Sequence, residues 1–378
     1  MTRTPGRQFG VYVHVPFCTT RCGYCDFNTY TPAELGGANP DGWLAALRTE
    51  LRLAAERLGP GPVDTVFVGG GTPSLLGASR LAAVLGAVRE SFGLVPDAEV
   101  TTEANPESTS PELFGALRAA GYTRVSLGMQ SVAPHVLSVL DRVHSPGRAV
   151  AAAEEALAAG FRHVGLDLIY GTPGEGDEDL RRSVDAAVAA GVDHVSAYAL
   201  VVEDGTALVR RVRRGEVDAP DDDVLARRYE LLDARLVDAG FDWYEVSNWS
   251  RPGGECRHNL GYWNGGEWWG AGPGAHGFAG STRWWNIKHP NAYAAALADG
   301  ALPVAGFEEL GPGEAHTETV MLSIRLRSGL PVDALGDAEL RRAQTAIADG
   351  LLVQAGDRLV LTGRGRLLAD GVVRTLLD

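Results

Sequence analysis

Cysteine is scarce in this chain: four thiols in 378 residues. That is too few for a disulfide framework, and clustered thiols in an intracellular chain are commoner as metal ligands or catalytic groups. Long hydrophobic runs are missing, so the sequence offers no transmembrane helix. The opening stretch MTRTPGRQFGVYVHVPF lacks the apolar core of a signal peptide, and a proline interrupts its only hydrophobic segment. A cytoplasmic protein is expected. Lysine is almost absent: Lys288 stands alone and the other basic residues are Arg. A formal net charge of −14 opposes an extended phosphate-binding surface, so nucleic acid is not expected as a partner. What remains is ordinary for a globular chain, with 45% apolar and 22% charged residues and enough length for two or three domains and a large core.

Short β-branched or aromatic runs alternate with longer Ala- and Leu-rich segments of helical period. Six strands are predicted, starting at Val11, Thr65, Ala98, Arg124, His163 and His194. Helical patterns lie between them, each ending near a glycine suited to a C-cap. Strands joined by single crossover helices make a parallel sheet, either an open doubly wound sheet or a partly closed barrel. Glu103, Gln130 and Asp167 fall at or near the C-terminal ends of successive strands, the face where barrel enzymes build their sites, and this favours the barrel. The expected fold class is therefore α/β, a partial (β/α)6 TIM-like barrel over residues 1–240. A connector rich in Trp and Gly follows over 241–305, with seven of the eight tryptophans between Trp243 and Trp285. Residues 306–378 read as a small helical, winged-helix-like domain, for which a packing role is favoured over DNA binding by the acidic balance.

Three of the four cysteines, Cys18, Cys22 and Cys25, crowd into CTTRCGYC. Their spacing would put them on one face of a helix, but Thr19, Thr20, Arg21 and Gly23 make a poor helix interior, so a loop after the first strand is expected. Thiolates hold iron–sulfur clusters, and a 4Fe–4S cube normally takes four of them. Three would leave one iron open to a small chelating ligand. Zinc completed by Cys256 or a histidine is the alternative. The run FVGGGTPSLL places three glycines after a strand, where backbone can approach a ligand closely.

With Tyr24 preceding the last cysteine, this pattern resembles the signature of the radical S-adenosylmethionine (radical SAM) enzymes. The resemblance implies a 4Fe–4S cluster on Cys18, Cys22 and Cys25, with SAM chelating the open iron and cleaved by one electron to methionine and a 5′-deoxyadenosyl radical. It further implies that Gly70, Gly71 and Thr72 of GGGTP contact the methionyl end of SAM. Across nearly the whole chain the sequence is similar to the oxygen-independent coproporphyrinogen III oxidases and their heme-chaperone relatives. Matching motifs then assign Tyr12, Tyr24, Glu103, Gln130, Arg142 and Asp167 to the SAM site. Their chemistry is apt, since carboxylates accept from ribose hydroxyls and ammonium groups and Arg142 can hold a carboxylate bidentately.

Two features separate oxidase from chaperone under this resemblance. The oxidases carry a further cysteine two residues after the third and a longer segment ahead of the motif; here Phe27 fills that position and only 17 residues precede Cys18. The second is His258-Asn259-x-x-Tyr262-Trp263, which resembles the HNxxYW signature of the chaperone branch. It makes His258 the leading heme ligand, with Cys256 next, because His and Cys are common axial ligands of heme iron. The partners implied are heme, heme-accepting proteins with peripheral membrane contact through them, and an electron donor. Two functions stay in view: a chaperone that binds heme and hands it on, and a true radical enzyme, either the oxidase or a methyl- or hydrogen-transfer catalyst.

Overall fold

A computed structural model of the chain describes residues 2–59, 61–142 and 144–378. The expected alternation is realised as β1 (Phe9–Val15), α1 (Pro40–Leu58), β2 (Val63–Gly70), α2 (Gly77–Phe92), β3 (Leu94–Ala104), α3 (Pro111–Ala120) and β4 (Arg124–Gln130). It continues through α4 (Pro134–Val139), α5 (Arg148–Ala158), β5 (His163–Tyr170), α6 (Asp177–Ala189) and β6 (His194–Ala199). All six strands pair in sequence order and in parallel, as helical crossovers on one face require. Caps mark several helix starts: Asn39 accepts from Gly42 N at 2.9 Å and Ser110 from Leu113 N at 3.2 Å.

Each strand sorts its side chains by period two. Val11, Val13, Val15, Val66, Val68, Val125, Leu127, Val164, Leu166 and Val195 are sealed in the core. The alternate positions Tyr12, Phe67, Thr101, Ser126, Asp167 and Ser196 turn the other way and line a cavity. Polar residues at every second position of central strands are what make this sheet a site as well as a scaffold.

Beyond β6 come α7 (Ala207–Arg213) and α8 (Asp222–Asp238), then β7 (Asp242–Glu245) and β8 (Asn248–Ser250), a hairpin whose second strand runs antiparallel along β6. The chain then travels to the opposite edge. There α9 (Arg257–Trp263) leads into β9 (Glu267–Ala271), which pairs in parallel with β1, Phe9 opposite Glu267. From β9 the sheet grows antiparallel through β10 (His276–Ala279) and β11 (Thr282–Asn286), and after α10 (Pro290–Ala298) through β12 (Val304–Glu309). The six expected strands are thus the centre of an open, mixed, twelve-stranded sheet whose ends, β12 and β7, do not pair among the described residues. The Trp- and Gly-rich stretch supplies five of these strands, and Trp249, Trp269 and Trp284 are its fully buried anchors.

The last part contains α11 (Pro312–Ser323), β13 (Leu330–Pro331), α12 (Asp337–Ala348), β14 (Leu352–Ala355), β15 (Arg358–Leu361), α13 (Gly363–Leu367) and α14 (Ala369–Leu377). Its three-stranded sheet, in the order β13-β15-β14, and its helices enclose a second core around Val320, Ile324, Leu352 and Leu376. Arg366 docks this part on α8: it pairs with Asp233 at 2.5 Å while its guanidinium lies over the rings of Trp243 and Tyr229. Trp249 Nε1 donates to the same aspartate at 2.8 Å.

One buried acid binds the late strands to the first helix. Glu50 of α1, with no exposed surface, accepts from Trp269 Nε1 (3.3 Å), Gly272 N (2.8 Å), Asn286 Nδ2 (2.7 Å) and the Tyr293 hydroxyl (2.5 Å). Burial pushes its pKa up to about 7 despite these four donors. The native state therefore binds a proton more tightly than the unfolded chain, and stability attributable to Glu50 falls as pH rises from about 4.5 to about 7. Between those values the wild-type apoprotein should lose up to about 3 kcal/mol more than Glu50→Gln. Urea unfolding at the two pH values measures it, and parallel losses in the two proteins would refute the assignment.

Candidate functional site

The sheet's inner face and the loop after β1 enclose a cavity of about 630 Å³. Every site residue expected from the sequence lines it: Tyr12, Cys18, Cys22, Tyr24, Cys25, Gly70, Gly71, Thr72, Glu103, Gln130, Arg142, Asp167 and His258, together with Cys256. They arrive from β1 through β5, from the loops beyond β1, β2 and α4, and from α9 with its N-cap residue Cys256.

The cysteine segment forms no helix, only a turn in which Cys25 N donates to Cys22 O at 3.2 Å, in keeping with its Thr and Gly content. Its path is fixed by backbone contacts to neighbouring loops. Gly71 N donates to Val15 O at 2.7 Å and Thr72 N to Phe17 O at 2.8 Å, while Gly23 N reaches Leu140 O at 3.0 Å. This explains the glycines of GGGTP locally. A Cβ on Gly71 would lie 2.5 Å from Phe17 O, and Gly70, at φ +109°, would drive one to 2.6 Å from the His14 ring. Two of the thiols are addressed by side chains: Thr72 Oγ1 stands 3.7 Å from Cys18 Sγ, and Arg142 Nη1 lies 3.3 Å from Cys22 Sγ. Arg142 also donates from Nε to His144 Nε2 at 2.9 Å. It forms no ion pair with Asp167 among the described residues, so it is a cation held against the thiols rather than a rim salt bridge.

All four cysteines are free, and among the described residues no three His, Cys, Asp or Glu side chains converge closely enough to hold a single ion. A tetrahedral zinc needs such convergence, whereas a cube binds its thiolates at separate corners. Cys256, the fourth zinc ligand considered, is committed elsewhere: its Sγ lies 3.5 Å from Glu99 Oε1. The donor set fits an iron–sulfur cluster. Burial pushes the Cys18 thiol up and the Cys25 thiol to about 11, so both are protonated until a metal displaces the proton.

The strand-end carboxylates are deeply buried. Glu103 accepts from Gly70 N at 3.0 Å, and burial, with the charge of nearby Asp167, raises its pKa to about 8. Asp167 is raised by burial while the hydroxyls of Ser126, at 2.9 Å, and Ser196 oppose the shift. Gln130 sits in the left-handed region at φ +63°, at a register shift between β4 and β5, with its Oε1 buried and without a partner. Strain and an orphaned acceptor at one residue mark a place prepared for a ligand.

His258 is the exception among the expected residues. It is only 3% exposed at the base of the cavity. Nδ1 is 2.8 Å from Thr65 Oγ1 and Nε2 is 2.8 Å from the Tyr262 hydroxyl, so both nitrogens are engaged. Its ring stacks on Phe67 at 5.3 Å, and Phe67 stacks in turn on Tyr12 at 6.2 Å. Burial lowers its pKa to about 4, so the imidazole is neutral. His258 thus lines the cavity with both ring nitrogens hydrogen-bonded in this structure. Cys256, 5% exposed, lines the same cavity. The sequence motif marks the plug of the cavity: α9 begins with Arg257 N and His258 N donating to Glu99 at 3.1 and 2.9 Å. Glu99, Arg124, Phe67, Ser126 and Ser196 were not singled out from the sequence; strand periodicity, which puts them in phase with Tyr12, Glu103 and Asp167, carries that signal.

Residues 12–187 match the model of the radical SAM superfamily, the class that this fold and its three-thiol loop define, and residues 311–368 match the HemN C-terminal domain. The structure of coproporphyrinogen III oxidase (HemN) from Escherichia coli superposes with a TM-score of 0.84 at 22% identity, covering 99% of this chain and 91% of that one. The heme chaperone HemW of Mycobacterium tuberculosis is 75% identical over 373 residues, 99% of this chain and 96% of the relative. HemW of Bacillus subtilis is 30% identical over 97% of this chain and 98% of the relative. The chain belongs to the HemW family of radical SAM proteins.

Two outcomes test the site. After anaerobic reconstitution Cys22→Ser should fall to background iron with an unchanged far-ultraviolet circular dichroism spectrum; wild-type iron content would refute the ligand set. A cation bound beside Glu103 must lower its raised pKa, so SAM binding at pH 7 should release up to about one proton. Calorimetry in buffers of different ionisation enthalpy reads this, and a release that persists in Glu103→Gln would exclude Glu103 as its source.

Proposed function

We propose that this protein binds heme and delivers it to acceptor proteins, with a 4Fe–4S cluster and SAM held in the cavity beneath the cysteine loop. The observation that carries this reading is the 75% identity to a heme chaperone across 99% of the chain. When bound, the cluster supplies an electron and an open iron to its chelating ligand. The chain's own residues do the rest. Cys18, Cys22 and Cys25 would hold the cluster, and Arg142 offsets negative charge beside Cys22. Gln130, Glu103 and Asp167 supply acceptors for hydroxyl and ammonium groups, with Tyr12 and Phe67 as the apolar wall and α9 sealing the base against water.

The oxidase reading is weaker on one residue. Where the resemblance places a further cysteine in the oxidases, this chain has Phe27, 60% exposed. An electron donor and heme acceptors are the partners this function needs; no helix among the described residues is long and apolar enough to cross a membrane.

The reconstituted protein is expected to bind heme saturably, seen as a Soret shift on titration, and to release it to an apo-hemoprotein. Supplied with coproporphyrinogen III, reductant and SAM, it should form no protoporphyrinogen. Absence of saturable heme binding defeats the chaperone reading, and sustained product formation restores the oxidase.

A further inference from the structure

A second groove, of about 680 Å³, lies on the outer side of the cysteine loop. Cys22, Cys25 and Phe27 line both this groove and the inner cavity, so the loop is a wall with one face toward each. Asn28 pins the wall to the late strands by donating to Pro273 O at 3.0 Å and Lys288 O at 2.9 Å.

The far side of the groove carries His276, the first residue of β10. It is exposed, unlike His258. Its carbonyl accepts from Trp268 Nε1 and its ring lies on Trp285, with centroids 6.0 Å apart and planes 29° apart, which fixes the residue on a rigid strand. Neither ring nitrogen is hydrogen-bonded among the described residues. Partial burial and the neighbouring cations Lys288 and Arg283 hold its pKa below the usual value, against the pull of Glu308, so the imidazole is neutral at physiological pH.

On the same groove Phe27 offers an exposed apolar face, and two cations are uncommitted. Lys288 makes no ion pair among the described residues, and Arg210 is bonded only to the carbonyl of Gly205, at 3.0 Å. Of the acids on the groove, Asp204 is neutralised by Arg213 at 2.7 Å and Asp26 is left. In a groove otherwise lined mostly by polar residues, a free neutral imidazole can bind iron, Phe27 and Tyr30 offer aromatic surface, and two spare cations suit the two carboxylates of an iron porphyrin.

We propose that this outer groove is the heme site, with His276 as axial ligand, Phe27 against the macrocycle, and Lys288 and Arg210 toward the propionates. The inference rests on the chaperone reading and gives it a location separate from the SAM cavity. Heme would then lie across the cysteine wall from the cluster.

The test is a hemin titration of the full-length, cluster-reconstituted protein, followed by absorbance and electron paramagnetic resonance. His276→Ala should weaken binding at least tenfold and abolish the signature of histidine ligation, which added imidazole should restore; iron content of the cluster should not change. Lys288→Glu, a surface change that spares the fold, should weaken binding at least threefold. If wild type binds no heme, the chaperone reading itself fails. If wild type binds and both variants bind equally well, the groove assignment is overturned while the chaperone reading stands. Should Lys288→Glu slow cluster reduction by an acidic electron-carrier protein and leave heme affinity unchanged, the groove seats that carrier and the heme assignment is likewise overturned.

Discussion

Glu99 is the residue on which the assembly of the site turns. Its carboxylate, 4% exposed, takes the Arg124 guanidinium at 3.1 Å and the first two N–H groups of α9, and Arg124 donates onward to the carbonyls of Gly254 and Glu255 at 2.9 Å. Burial alone would raise the acid's pKa; the guanidinium and the two N–H groups more than reverse that and hold it low. Such a pair tolerates no half-measure, because removing one partner strands a charge in the interior, at a cost of several kcal/mol. What it secures is α9 under the lumen, and through His258 and Phe67 the wall of the cavity.

That arrangement also shows why one motif was legible and its setting was not. The cysteine spacing, the glycine run and the strand-end acids are local patterns, and each landed on the same cavity because parallel strands present their C-terminal ends together. HNxxYW is equally visible as a string. Its placement, however, depends on Glu99 and Thr65, which precede His258 by more than a hundred and fifty positions, and on Gly10, where a Cβ would lie 2.9 Å from the imidazole. No local reading of His258 reveals that both its nitrogens are spoken for.

The same distinction separates the central strands from the later ones. Six strands announce themselves by alternating with helices. The segments that become β9, β10 and β11 are short and rich in Trp and Gly, and they become strands by pairing with edges already formed. Large indoles there fill space between α1 and the sheet, with Trp269 and Trp284 packed 4.8 Å apart. Glu50, a lone acid in the apolar stripe of α1, is the only trace of that packing in the first helix.

The parallel pairing of Phe9–Val15 with Glu267–Ala271 bears on how the protein is made. On a ribosome the first strand emerges early and finds β2 within some fifty residues, but its other edge stays bare until about two thirds of the chain has been synthesised. For that interval an apolar strand edge and three free thiols sit side by side on a nascent chain, exposed to unwanted pairing and oxidation. The loop bearing the thiols gains its second wall later still, once Pro273 and Lys288, beyond β9, are in place to accept from Asn28.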